Sequence, residues 1–226
     1  MTSEPTAFLY PFIDAEERDA RSLVADLALS ARAKMVDSRA IRAATIERCV
    51  DIVAGAGGAM AECFRSGGRL FAFGNGGSAT DAEGTVALFR DPPSGLPLPA
   101  LSLVDDRAVL TALANDIGFD VVFSRQIIAH ARAGDIAVGF STSGDSRNVL
   151  RALEEASRRG LLTIGLCGYA GGAMAASGSV AHCLLVRSDS VHRIQEAQDA
   201  LVLQLWATVQ GGMAAGTAQI TQEVRT

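Results

Sequence analysis

Aromatic residues are scarce in this 226-residue chain, at 5 % of the total. That is a poor supply of stacking surfaces for the bases of a single-stranded nucleic acid. A positive charge balance is missing too: the formal net charge is −5, which excludes a general nucleic-acid binder of basic footprint. No run of about 18 apolar residues occurs, so no membrane span is expected. The leading stretch MTSEPTAFLYPFIDAEERD has no basic segment followed by an apolar one and does not read as a signal peptide. Among the four cysteines (Cys49, Cys63, Cys167, Cys183) there is no CxxC pair, and reduced, buried thiols in a cytoplasmic protein are expected. Cys49 and Cys63 share a helix face by spacing. A zinc site there would need further ligands, and His130, His182 and His192 are all distant in sequence.

What is present is apolar mass and glycine. Hydrophobic residues make up 49 %, charged residues 20 %, and there are 23 glycines. This suits a folded chain with one sizeable core and many tight turns. The first third reads as two helices. One spans residues 14–35, with Leu23, Leu27, Ala31 and Met35 at helical spacing. The other spans 38–66, with Ser38 as N-cap and Ser66-Gly67-Gly68 as its stop. The apolar FLYPFI at 8–13 is expected to dock on the body or on a neighbouring subunit. From residue 69 short apolar strands alternate with helices. Strands are expected at 69–74, 100–104, 136–141, 161–168 and 182–187. Helices are expected near 79–90, 107–114, 120–131, 146–159, 172–177 and 192–210. RDPPSGLPLPA at 90–100 holds four of the six prolines and reads as a surface loop. The pattern predicts an α/β sandwich with a parallel sheet, whose ligands lie beyond the carboxyl ends of the strands.

Two loops stand at such ends. GNGGS (74–78) follows a strand and opens a helix, with Ser78 expected as N-cap and Asp81 three residues on completing a capping pair. Glycines there let the backbone approach a ligand, and amide hydrogens at a helix start favour an anion. STSGDS (141–146) repeats the arrangement with four hydroxyls, from Ser141, Thr142, Ser143 and Ser146. It has no lysine for a nucleotide triphosphate, so a monophosphate fits it better. Either loop alone also reads as a tight connection or a helix cap. GNGGSA further matches the GxGxxA dinucleotide fingerprint, with Asp105 and Asp106 ending the next strand. That alternative leaves STSGDS and the helical N-terminal third without a role.

With GNGGS, ALANDIGFDVVFSRQI (112–127), GDIAVGFSTSGDSRNVLRAL (134–153), GYAGG (168–172) and RIQE (193–196) in this order, the chain resembles the SIS (sugar isomerase) domain family, in particular its phosphoheptose isomerase branch. The resemblance implies a three-layer α-β-α sandwich with a five-stranded parallel sheet (67–226). The N-terminal helical segment (1–66) would then serve oligomerisation, in a homotetramer with sites between subunits. It implies that Asn75, Gly76, Gly77 and Ser78 contact a phosphorylated sugar, that Asn115 and Asp116 edge the pocket, that Ser141, Thr142, Ser143 and Ser146 hold the phosphate, and that Gln195 lies near the sugar and, in some members, on a zinc ion.

The sequence departs from the branch where chemistry is done. Moving a proton between adjacent carbons needs a base over that carbon pair and an acid or metal for the oxygens. The resemblance places a histidine at position 84, a glutamate at 88 and a second histidine at 203, with zinc in some members. This chain has Gly84, Leu88 and Leu203. Zinc is therefore not expected, and the catalytic candidates left are Gln195, His192 and Glu83, with Asp81 and Glu196 nearby. Arg187 and Arg193 are candidates for anion contact. Three readings follow: a phosphosugar-binding protein without the usual catalytic residues, an aldose–ketose isomerase with a relocated base, or a protein-binding adaptor or regulator.

Overall fold

The computed structural model describes residues 20–223. FLYPFI and residues 14–19 of the first expected helix fall outside them. Two units divide the chain between Ala40 and Ile41. Where two helices were expected there is one, α1, running Ala20–Arg65. Ser38 lies inside it and starts nothing. The stretch around it, MVDSRAIRA, contains neither glycine nor proline, so the backbone has no reason to leave the helix there. In the first unit Leu27 and Met35 are exposed rather than packed. The helix stops at Gly67, whose φ of 80° is the left-handed conformation that ends helices.

The second unit is built on a five-stranded sheet: β1 (Leu70–Gly74), β2 (Ala100–Ser102), β3 (Ile136–Ser141), β4 (Leu162–Cys167) and β5 (His182–Leu185). All pairings are parallel, in the order β2-β1-β3-β4-β5. The helices between and after them are α2 (Gly77–Arg90), α3 (Arg107–Asp116), α4 (Val122–His130, entered through a 3-10 turn at Phe119–Val121), α5 (Arg147–Arg158), α6 (Gly172–Ala176) and α7 (Val191–Glu223). The last extends well past the expected end at 210 and includes Gly211 and Gly212.

Strand alternation divides the core in two. Leu70, Ala72, Ile136, Val138 and Phe140 face α2, α7 and the Ile41–Arg65 part of α1. Phe71, Phe73 and Ala137 face α4, α5 and α6. The result is the three-layer α-β-α sandwich expected from sequence. At the amino end of the sheet the fully buried Asp135 accepts hydrogen bonds from the Arg69 amide (2.8 Å), the Arg132 amide (2.9 Å) and the Arg69 guanidinium (3.1 Å). A buried carboxylate is tolerated only with partners like these. They tie β1 to β3 at the end opposite the loops of interest.

Candidate functional site

Because every strand is parallel, the loops after β1, β3 and β4 emerge together at the carboxyl edge of the sheet. The connection from β1 runs outward to β2, while β3 lies on the other side of β1. This is the switch point at which open parallel sheets form a crevice. GNGGS and STSGDS flank it.

The two loops are clamped by an amide pair. Asn75 Nδ2 donates to Asn148 Oδ1 at 2.8 Å, and Asn148 Nδ2 donates back to Asn75 Oδ1 at 2.8 Å. Asn148, in the first turn of α5, is buried and was not singled out from sequence. Its Oδ1 also accepts from the Val149 amide at 3.0 Å, which fixes the rotamer.

In the first loop, α2 begins two residues earlier than expected. Gly76 is the N-cap, with φ 56° and ψ −124°, and Ser78 is inside the helix and buried. The expected Ser78–Asp81 capping pair is therefore not formed as a helix start. Gly76 supplies a backbone conformation that side-chain-bearing residues rarely take, so the turn tightens before Ser78 is reached. Asn75 is half-buried, and Gly76 and Gly77 are exposed at the rim. Gln195, in the first turns of α7, packs on Gly77 so closely that a Cβ there would lie 2.3 Å from Gln195 Nε2. The same Nε2 donates to Asp81 Oδ2 at 3.0 Å. Burial pushes the Asp81 carboxyl above the ordinary aspartate range. The Gln195 hydrogen bond opposes that shift and the Asp199 carboxylate adds to it. Asp199 is raised as well, by burial and by Glu196.

The second loop is organised around Ser141. Its buried Oγ donates to Ser146 Oγ at 2.9 Å and accepts from the Gly144 amide at 3.1 Å. Ser143 is exposed, and its Oγ accepts from the Asp145 amide at 3.1 Å. Three of the four expected hydroxyls thus gather at the start of α5, where partial positive charge accumulates. The GYAGG segment supports the loop from below: the Gly168 amide donates to the Thr142 carbonyl at 2.9 Å, and Asp145 Oδ1 accepts from the Ala173 amide at 2.7 Å. Gly144 takes φ 73° where a Cβ would meet the Gly171 carbonyl at 2.0 Å.

Not every candidate joins this cluster. Asn115 and Asp116 end α3, exposed, with Asn115 Nδ2 donating to Asp116 Oδ1 at 2.8 Å. Glu83 and His192 are exposed, and Arg193 is paired with Glu196. Asp106, half of the dinucleotide reading, instead caps α3 by accepting from the Val109 amide at 3.0 Å.

Gly84 and Leu88 follow Asp81 at helical spacing. Gly84 is exposed, with open space where a Cβ would go. Leu88 packs against the core, and Leu203 is 51 % exposed on α7. None of the three offers a metal ligand. Of these positions and Gln195, only Gln195 carries a polar side chain, a neutral amide. Among the described residues no three His, Cys, Asp or Glu side chains come together as a metal site.

A family model described as SIS domain matches residues 35–168. A phosphoheptose isomerase of Rhodospirillum rubrum is 42 % identical over 155 residues, covering 68 % of this chain and 81 % of the relative. That of a Geobacter species is 45 % identical over 146 residues, covering 63 % and 74 %. Among solved structures, a phosphoheptose isomerase of Neisseria gonorrhoeae superposes with a TM-score of 0.76 at 35 % identity, covering 82 % of this chain and 99 % of that one.

Proposed function

The chain belongs to the SIS domain family, and from that premise we propose that it binds a phosphorylated sugar across its two loops without the acid–base and metal residues that isomerases of this branch carry. The Asn75–Asn148 clamp carries this reading. It fixes the spacing of two anion-favouring loops at the sheet's switch point, as a ligand with a phosphate at one end and hydroxyls along its chain requires. Ser141, Ser143 and Ser146 with the α5 amides take the phosphate. Asn75, Gly76, Gly77 and Gln195 take the sugar. The relatives named phosphoheptose isomerase make a seven-carbon ketose or aldose phosphate the first ligand to try.

Thermal-shift titration with sedoheptulose 7-phosphate tests this, because binding to the folded state raises stability by mass action. If no sugar phosphate moves the melting temperature, the pocket reading is wrong.

One observation favours a second reading, an isomerase with a relocated base. Asp81 is half-buried beside Gly77 and Gln195, and its carboxyl is shifted upward by burial. A base near the pocket must be able to accept a proton and return it to the neighbouring carbon, and a raised carboxylate does so more readily. Turnover of sedoheptulose 7-phosphate that vanishes in Asp81→Asn while binding persists would establish this reading. No turnover, with or without added zinc, would exclude it.

We also propose that the protein self-associates, as a tetramer in the cytoplasm. Val50 and Ile52 on α1 are exposed, and an apolar groove of about 130 Å³ lies between α1 and α7, lined by Ile46, Val50, Val53 and Leu201. Apolar surface of this kind suits helix packing against a second copy. All four cysteines are free, which fits a reducing compartment.

A further inference from the structure

Two of the four thiols have no part in the reading above, and the fold brings them together. The register of β4 and β5 pairs Gly165 with Cys183 and Cys167 with Leu185. Cys167 and Cys183 are therefore diagonal neighbours on the same face of the sheet, the one covered by α5 and α6. Their sulfurs are 3.5 Å apart. Cys167 is fully buried, while Cys183 retains some exposure. The other two thiols lie on α1, and Cys49 donates to the Leu185 carbonyl from the opposite face.

The pair is also asymmetric. The contact between the two sulfurs holds the Cys183 thiol below its ordinary range, and the same contact together with burial pushes Cys167 up. Cys183, the more accessible sulfur, is the one a peroxide reaches first, and its lowered range favours the thiolate.

Cys167 is the last residue of β4 and the register partner of Ser141. The next amide, of Gly168, donates to the Thr142 carbonyl. There is little slack at this junction: a Cβ on Gly168 would meet Ile194 Cδ1 at 2.5 Å and the Thr142 carbonyl at 2.8 Å. A disulfide requires the sulfurs to approach to about 2.05 Å, so the end of β4 and the start of β5 must draw together. Ser141, paired in register with Cys167, and Thr142, bonded by the Gly168 amide, are the residues such a movement would reach.

We propose that Cys167 and Cys183 are a reversible dithiol–disulfide pair, oxidised by hydroperoxides, and that closing it weakens the grip of the STSGDS loop on phosphate. The Cys183 thiolate attacks the outer oxygen of the peroxide. The O–O bond breaks, the sulfur becomes a sulfenic acid, and hydroxide or alkoxide leaves. Cys167 sulfur then attacks the sulfenic sulfur. The S–S bond forms, the S–O bond breaks, and the hydroxide leaves as water with the proton from Cys167. One peroxide is reduced for two thiols oxidised, and a dithiol reductant reverses the change.

The part concerning phosphate rests on the function proposed above, and the test separates the two. The full-length protein is treated with hydrogen peroxide, then alkylated and mapped by peptide mass spectrometry. Free thiols should fall from four to two, with a Cys167–Cys183 cross-linked peptide that dithiothreitol removes. Cys183→Ser and Cys167→Ser should each lack the cross-link, and Cys49→Ser combined with Cys63→Ser should keep it. Four thiols remaining, or a bridge using Cys49 or Cys63, overturns the pair. In parallel, the melting shift given by sedoheptulose 7-phosphate should fall severalfold on oxidation and stay unchanged in oxidant-treated Cys183→Ser. An equal shift in the oxidised and reduced wild type overturns the coupling. A shift absent even from the reduced protein overturns the phosphosugar reading and the coupling with it, while the thiol count still decides the pair.

Discussion

The sharpest perturbation is to put back what α2 and α7 lack, through the triple substitution Gly84→His, Leu88→Glu, Leu203→His. The costs can be worked position by position. Gly84 is exposed and a Cβ there meets nothing within 4 Å, so histidine fits without strain and improves helix propensity by about 0.4 kcal/mol. Leu203 is 51 % exposed, and its replacement costs about 0.5 kcal/mol. Leu88 packs on the core, and losing that contact costs about 1–2 kcal/mol. Without metal the variant should therefore melt lower by about 2–8 °C, at about 2–4 °C per kcal/mol for a chain of this size. If the three positions and Gln195 converge, zinc at a hundred times its dissociation constant returns about 2.7 kcal/mol, or about 5–11 °C. Scanning fluorimetry with zinc and then with a chelator reads both changes. The same variant lacking only Leu88→Glu should respond less. Saturable stabilisation of the wild type by zinc would refute the argument that its donor set does not fit the metal. A triple variant indifferent to zinc would refute the convergence of the four positions.

Three further outcomes follow from the geometry. Asn148→Leu removes the clamp and leaves the Asn75 amide without its partner, so it should cost about 1–3 kcal/mol of stability and weaken sedoheptulose 7-phosphate binding at least tenfold by calorimetry; unchanged affinity would show that the clamp does not set the loop spacing. Asp81 is raised in the folded state above the ordinary value of 3.8, with burial the largest cause, so the fold favours its protonated form. Its contribution to stability is full below that ordinary value and is lost as pH rises through the raised folded value. Melting temperatures of Asp81→Asn should vary less with pH across that interval than those of the wild type, and identical slopes would contradict the shift. Asp135→Ala strips partners from two backbone amides and from Arg69, so denaturant unfolding should show a loss of about 3–5 kcal/mol with little change in ligand affinity once folded; a loss below about 1 kcal/mol would refute the structural role given to this residue.

What could be read from the chain was local. The strand–helix alternation from residue 69, the two loops at strand ends and the hydroxyls gathered at the start of α5 all rest on short stretches whose turn chemistry is explicit. The misreadings were local signals with a stronger local competitor. Ser38 looks like an N-cap, yet no residue near it breaks a helix. Ser78-x-x-Asp81 looks like a capping pair, yet Gly76 turns the chain first. What could not be read were contacts between residues distant in sequence: Asn75 with Asn148, Asp81 with Gln195, Cys167 with Cys183. No periodicity or motif encodes these pairings. They exist because β1 is placed beside β3, β4 beside β5, and α7 against α2. The family resemblance placed Asn75 in the sugar loop and Gln195 near the sugar, but the partner that holds each in place came only from the fold.

Calorimetric titration of the reduced protein with sedoheptulose 7-phosphate and, in the same buffer, with sedoheptulose separates recognition of the phosphate from that of the sugar. Saturable binding of the phosphate ester, lost in Ser143→Trp, and no saturable heat from the free sugar are the expected results. Equal binding of both sugars, or no saturable binding of the ester, would contradict the phosphosugar reading.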